Sequence, residues 1–324
     1  MPKAIVINEF GGPDVLQWSD VEVGAPGAGE VLLRHTAVGL NFIDTYQRTG
    51  LYPLELPSGL GLEAAAVVEA TGAGVDYVQA GDRVAYTQMP PGAYSEQRVY
   101  PADQLVKLPD GIDDRVAAAA MLKGLTAWYL LHRSYPAQSG DHVLVYAAAG
   151  GVGLIVCQWA RALGVNVIGV VSTQEKAALA KKFGATAVVM ADAPDFVNDV
   201  RELTGGEGVA AAYDSVGKDT FIQSLDCIRP HGTMVSFGNA SGPVEPFSVL
   251  ELGKRGSLFL TRPAVFDFVK TPESLRAAAG ALFDVIESGD VKIEINQTWP
   301  LAEVADAHRA LESRQTTGST VLLP

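Results

Sequence analysis

Two textures divide the chain. From Lys3 to about Leu108, short apolar runs at Lys3 to Asn8, Glu30 to Gly39, Leu62 to Glu69, Asp82 to Tyr86 and Tyr94 to Val99 are separated by Gly11-Gly-Pro13, Pro26-Gly27 and Met89-Pro-Pro-Gly92. Short strands with irregular Gly/Pro turns predict an antiparallel barrel or folded sheet. Val116 to His132, rich in Ala and Leu, predicts a helix interrupted near Gly124. Buried-strand and helical patterns then alternate. Strands are predicted at Val143 to Tyr146, Val165 to Val171, Ala187 to Met190, Val209 to Tyr213, Thr233 to Phe237 and Ser257 to Thr261. Helices lie between them at Gly153 to Gly164, Gln174 to Phe183, Pro194 to Leu203 and Thr220 to Ile228. Such alternation implies an α/β fold with a doubly wound parallel sheet. The remaining pieces, a helix near Pro272 to Ser288, a strand near Val291 to Gln297, a helix near Val304 to Glu312 and a strand near Thr320 to Leu323, are too few for a domain. They are expected to rejoin the first one. The parallel domain (124–263) is then an insertion into a domain made of 1–123 and 264–324, with a ligand cleft between the two.

The segment Ala147-Ala-Ala-Gly-Gly-Val-Gly153 joins the first predicted parallel strand to its helix. Bare residues at Gly150, Gly151 and Gly153 let first-turn N–H groups approach a pyrophosphate, which the helix dipole also favours. The fingerprint G-x-G-x-x-G has Ala148 in its first place. A second strand follows at helix distance, and Ser172 with Glu175 reads as a capping box opening the next helix. At the end of that second strand an acid would bind the ribose hydroxyls of NAD. Ser172 stands there instead, with Thr173 and Lys176 after it, a set suited to a 2′-phosphate. The expected cofactor is therefore NADPH.

Composition narrows the class. A net charge of −13 opposes broad nucleic-acid or anionic-membrane binding. No apolar run has the length of a membrane span, and Met1-Pro-Lys-Ala4 does not read as a signal peptide, so a soluble, cytoplasmic protein is expected. The two cysteines, Cys157 and Cys227, fall in predicted core elements and read as reduced packing residues.

Four pieces together carry a family resemblance: Ala147 to Gly153, Asn41-Phe-Ile-Asp44, Tyr213-Asp-Ser-Val-Gly217 and Val235-Ser-Phe-Gly-Asn239. They resemble the medium-chain dehydrogenase/reductase superfamily, and more closely its zinc-independent, zeta-crystallin-like bacterial NADPH:quinone oxidoreductases. The similarity extends from Gly11-Gly-Pro13 to Gly318-Ser-Thr320 and includes Glu312-Ser-Arg314. It implies a Rossmann sheet inserted into a GroES-like, mainly antiparallel catalytic domain, a homodimer and no metal. Zinc-dependent members carry Gly-His-Glu; the matching place reads Gly61-Leu62-Glu63, and leucine cannot coordinate. Without a Lewis acid, reduction of an electrophile that accepts hydride readily, a quinone or an activated enone, fits better than alcohol oxidation.

The roles follow from place and resemblance. Asn41, Tyr46 and Tyr52 are expected beside the nicotinamide and the acceptor, with an amide or a phenol for the oxygen that gains charge. Lys123 and Thr126 are carried over as nicotinamide-side contacts. Gly150, Gly151 and Val152 should line the pyrophosphate, and Ser172 and Lys176 the 2′-phosphate. Gly217, Phe237, Gly238 and Asn239 fall at the sheet edge where a dinucleotide lies, and Arg262 and Arg314 are candidates to close over it. Where related bacterial enzymes place a tyrosine by the adenosine phosphate, this chain has Ala191.

Two other readings compete. One is an enone or enoyl reductase of the same superfamily, with Tyr52 as proton donor. The other is a non-enzymatic NADPH-binding crystallin or RNA-binding factor, which the acidic charge disfavours. A serine hydrolase is set aside, because Gly238-Asn-Ala-Ser-Gly242 lacks the nucleophile spacing.

Overall fold

The longest strand, Glu30–Leu40, alternates buried with half-buried residues for most of its length and ends fully buried. Sheets form on both its edges. The structure is a computed structural model describing residues 1–324. It divides into a first unit of 1–125, 269–287 and 293–324, and a second of 126–268 and 288–292.

In chain order the first unit begins with β1 (Lys3–Ile7), β2 (Gln17–Asp20), β3 (Glu30–Leu40), α1 (Phe42–Thr49), β4 (Ser58–Gly59), β5 (Glu63–Thr71), β6 (Arg83–Thr87), β7 (Gln97–Pro101), β8 (Val106–Lys107) and, as far as Leu125, α2 (Asp114–Tyr129). The second contains β9 (His142–Tyr146), α3 (Gly151–Ala162), β10 (Asn166–Val171), α4 (Gln174–Lys182), β11 (Ala187–Met190), α5 (Phe196–Glu202), β12 (Val209–Asp214), α6 (Phe221–Asp226), β13 (Ile228–Ser236), α7 (Leu250–Lys254), β14 (Phe259–Thr261) and α8 (Val265–Phe268). Then α9 (Pro272–Glu287), β15 (Ile295–Pro300), α10 (Val304–Glu312) and β16 (Ser319–Leu323) return to the first unit.

The first unit holds a seven-stranded sheet, ordered β15-β16-β3-β5-β6-β8 with β7 also on β3, and a small sheet β2-β1-β4. Pairing is antiparallel except between β15 and β16. The second unit is a six-stranded, wholly parallel sheet, β11-β10-β9-β12-β13-β14. Its near-continuous apolar strands, such as Val143–Tyr146, are buried as a sheet covered on both faces requires.

Several elements depart from the pattern reading. β7 starts at Gln97 rather than Tyr94, because Tyr94 pairs elsewhere: its N–H donates to Leu60 O and its carbonyl accepts from Ile5 N–H. β15 starts at Ile295 rather than Val291. Lys292 belongs to the second unit, where its N–H donates to Gln158 Oε1 at 2.9 Å. α2 runs through Gly124 without the expected break. Glycine weakens a helix by about 1 kcal/mol relative to alanine. Packing demands it here, since a Cβ would lie 2.4 Å from Leu282 Cδ1 of α9.

The helix α1 has no counterpart in the pattern, and its burial explains why. Its buried residues are Asp44, Thr45, Gln47 and Arg48, whereas Phe42, Ile43 and Tyr46 are only half buried. Apolar periodicity therefore points away from the face that packs. The remaining signals were local, Asn41 before the first turn and Gly50 at φ +80° after the last.

Gly124→Val should cost about 1–3 kcal/mol through overpacking. Leu282→Ala in that background should recover part of the loss in urea unfolding, whereas strictly additive costs would contradict the contact.

Candidate active site

In the second unit, β9 ends at Tyr146 and the chain bends at Ala147, a non-glycine residue at φ +50°. Gly150 N–H closes the bend on Ala147 O at 2.8 Å, and α3 starts when Leu154 N–H reaches Gly150 O. Gly150 is the N-cap and makes no side-chain capping bond. First-turn N–H groups at Gly151 and Val152 have no intrahelical acceptor, the arrangement expected of an anion site. Gly153 is bare for another reason than the one expected. A Cβ there would stand 2.3 Å from Ala147 O and 2.7 Å from Ala148 Cα, so it lets the helix lie on the bend. Ala148 fills the first fingerprint place and is wholly buried, and Gly169 of β10 accommodates it, since a Cβ there would be 2.8 Å from Ala148 Cβ.

Beyond β10, the N-cap of α4 is Thr173, not Ser172: Thr173 Oγ1 accepts Lys176 N–H at 3.2 Å. The cap stands one residue later than the capping box predicted, because Ser172 is not the cap and remains exposed. No carboxylate occupies the end of β10. Ala191 is exposed, and its N–H donates to Val171 O.

A buried acid organises the far end of this sheet. Asp214, last residue of β12, accepts from Val216 N–H (2.7 Å), Gly217 N–H (3.1 Å) and Thr220 Oγ1 (2.8 Å). Burial raises its carboxyl above the usual range. Its carbonyl takes Phe237 N–H at 2.8 Å. Ser241 N–H donates to Val216 O and Lys218 N–H to Gly242 O, so the 215–218 and 237–242 loops form one body. Gly217 (φ +93°) and Gly238 are obligatory there, with a Cβ placed 2.6 Å from Gly242 O and 2.3 Å from Ser215 O respectively. Four expected cofactor residues, Gly217, Phe237, Gly238 and Asn239, are thereby brought together by an acid that motif reading left without a role.

In the first unit, Glu63 has no exposed surface. Its Oε1 accepts Leu122 N–H at 2.7 Å; its Oε2 accepts Asn41 Nδ2 at 2.7 Å and faces Lys123 Nζ at 3.3 Å. Asn41 and Lys123, 6% and 7% exposed, are thus joined through one carboxylate. Tyr52 N–H donates to Tyr46 O, and the two rings meet edge-on with centroids 5.3 Å apart. Thr126 is buried and belongs to the second unit. Arg262 and Arg314 are exposed and lie in different units; Arg314 adopts φ +60°.

A second polar chain starts at the N-terminus of α1. Asp44 Oδ2 accepts Asn41 N–H at 2.8 Å and Tyr94 O–H at 2.7 Å. Tyr94 Oη lies 3.1 Å from His308 Nε2, and His308 Nδ1 lies 2.8 Å from Arg48 Nη1. Arginine only donates, so Nδ1 is the acceptor and the imidazole proton sits on Nε2. Arg48, 1% exposed, also clasps Glu312 with two bonds of 2.7 and 3.0 Å. Burial pushes Asp44 up to about 7; burial, with Arg48 beside it, holds His308 down to about 3. No spacing or motif in the sequence links His308 to this chain. The only trace of it was Glu312 within a matching motif.

Comparison with known proteins agrees with this fold. The family described as "Alcohol dehydrogenase GroES-like domain" matches residues 27–110, and "Zinc-binding dehydrogenase" matches residues 151–280. The chain is 54% identical over 325 residues to a quinone oxidoreductase of Pseudomonas aeruginosa, covering 100% of both. It is 49% identical to a 2-haloacrylate reductase of a Burkholderia species, covering 100% of this chain and 99% of that protein. The crystal structure of the Escherichia coli quinone oxidoreductase complexed with NADPH superposes with a TM-score of 0.97 at 46% identity, covering 99% of this chain and 100% of that one. In this chain Leu62 is buried hydrocarbon, and no three His, Cys, Asp or Glu side chains gather as a metal site.

Two buried imidazoles set the acid response. His35, between Ser95 O and Tyr86 Oη, is also held to about 3, mainly by burial. Folded-state depression means that this stabilisation is complete above 6.5 and is lost as pH falls toward 3. Asp44 acts oppositely: raised from 3.8 to about 7, it stabilises fully below 3.8 and loses that contribution as pH rises to 7. His308→Gln should therefore flatten the unfolding free energy against pH by about 1.4 kcal/mol per unit between roughly pH 4 and 6. Urea titrations giving an unchanged slope would show that His308 is not neutral in the fold.

Proposed function

The chain belongs to the medium-chain dehydrogenase/reductase superfamily, among its quinone oxidoreductases, and from that premise we propose that it reduces quinones with NADPH. The observation that carries the reading is the bend before α3, whose uncapped first turn offers N–H groups to a pyrophosphate, followed by a β10 that ends in hydroxyls and Lys176 instead of an acid. When bound, NADPH supplies hydride from nicotinamide C4.

The chain's own residues bind and orient. Gly150, Gly151 and Val152 hold the pyrophosphate through their N–H groups, and Ser172 and Lys176 hold the 2′-phosphate. Gly217, Phe237, Gly238 and Asn239 line the dinucleotide on the loop body that Asp214 locks. Lys123 and Thr126 are assigned to the nicotinamide side, and Arg262 and Arg314 to the cofactor's outer contacts. Asn41, Tyr46 and Tyr52 hold the acceptor. Their amide and phenols steady the oxygen that gains charge, and the paired tyrosine rings offer a face to a planar ring. Reduction of a quinone to a hydroquinone consumes one hydride and one proton.

A second acceptor class is favoured by the relative named 2-haloacrylate reductase. An electron-poor alkene takes the same hydride, and Tyr52 would then return a proton to carbon. We also propose a homodimer built on the open edge of the parallel sheet. β14 ends that sheet, and Phe259 (63%) and Leu260 (38%) are exposed on it. A reducing, cytoplasmic setting accords with Cys157 and Cys227, both buried and free.

NADPH should bind well ahead of NADH, and Lys176→Ala should raise the NADPH Kd about tenfold, the worth of one charge-assisted hydrogen bond; equal parent affinities would refute the 2′-phosphate assignment. With 1,4-benzoquinone and a 2-haloacrylate as rival acceptors, Tyr52→Phe should spare the first and abolish the second if alkene reduction uses that phenol. Light scattering should give a dimer that Phe259→Lys splits; a monomeric parent would end that part of the proposal.

A further inference from the structure

The roles above leave one polar construction unused, the buried residues Arg48, His308, Tyr94 and Asp44 with the exposed Glu312 at their outer end. Its direction is fixed throughout. Arg48 donates to His308 Nδ1, Nε2–H faces Tyr94 Oη, and the Tyr94 hydroxyl donates to Asp44 Oδ2. Asp44 in turn accepts the backbone N–H of Asn41, whose side-chain amide gives one of its two N–H groups to Glu63. Two carboxylates therefore grip Asn41, one by its main chain and one by its amide.

We propose that Asp44 is a positioning residue for quinone reduction, anchored from Glu312 through Arg48, His308 and Tyr94, that fixes Asn41 at the start of α1. This rests on the quinone reductase reading above. The inverted helix supports it. α1 buries Asp44, Thr45, Gln47 and Arg48 and leaves Phe42 and Tyr46 half buried, so polar bonds and not apolar packing set its place. The anchor is also sensitive to charge. Asp44 Oδ2 serves both donors while Oδ1 is buried with no partner. Ionised, Asp44 makes two charge-assisted bonds, and protonation on Oδ1 weakens both. The titratable and charged groups that act on it are Tyr94 from the loop before β7, Glu63 from β5 and Lys123 from α2, and behind Tyr94 stand His308 of α10 and Arg48 of its own helix. Among these groups, burial places Asp44 near neutrality, at about 7.

The test compares the parent with Asp44→Asn, which keeps the shape and cannot ionise, and with Tyr94→Phe, which removes one donor. Steady-state reduction of 1,4-benzoquinone across pH is read beside NADPH titration and amide hydrogen exchange of Asn41. Asp44→Asn should lose up to about 100-fold in kcat/KM, keep its NADPH affinity, and lack the acid limb near pH 7 that the parent shows. Tyr94→Phe should show a smaller loss of the same kind. Exchange at Asn41 should quicken about tenfold in Asp44→Asn, as expected for one weakened bond. Parent-like kcat/KM with the same acid limb, or unchanged Asn41 exchange, overturns the inference. A parent that binds NADPH yet reduces no quinone overturns the functional reading instead, and the exchange measurement then decides the anchor alone.

Discussion

A carboxylate removed from water must be surrounded by donors, or its burial costs several kcal/mol. Glu63 meets that demand with Leu122 N–H, the Asn41 amide and the Lys123 ammonium. Through one side chain the start of β5, the residue before α1 and the middle of α2 become mutually fixed. Gly39, on β3, must be bare for the same reason, because a Cβ would lie 2.1 Å from Glu63 Oε2 and 2.2 Å from Ala118 O. Changing any of these residues therefore disturbs the others. The neighbouring Leu62, where zinc-bearing members of the superfamily place histidine, packs as hydrocarbon and leaves Glu63 to organise organic partners.

The second unit solves a similar problem with Asp214. Its oxygens and carbonyl collect donors from two loops, and two glycines admit the close backbone approach that results. A sheet edge held this way is preorganised. Its N–H groups and small residues are placed by bonds inside the protein before any ligand arrives, which reduces the ordering cost of binding. The bend before α3 works on the same principle, with Gly153 serving the helix contact and Gly150 the free amides.

Such a scaffold constrains the donor more than the acceptor. Quinones and 2-haloacrylates differ in shape, yet both are electron-poor and accept hydride without metal activation. A chain similar to reductases of both kinds is consistent with catalysis by positioning, in which few side chains touch the reacting atoms and many hold them still.

The alternation of buried strands and amphipathic helices is a local feature and by itself determined the parallel sheet, while the glycine bend and the missing acid after β10, equally local, carry the expectation of a dinucleotide cradle and a phosphorylated cofactor. The α1 helix escaped because its apolar residues lie on the wrong side, and Gly124 misled because its value is a contact with Leu282, far along the chain. Asp44 and Arg48 share one helix, but Tyr94 lies 50 residues from Asp44, and His308 lies 214 from Tyr94 and 260 from Arg48. Only tertiary structure decided that they form one chain, because a buried polar group takes whatever donor the fold brings within reach, and periodicity carries no information about that meeting.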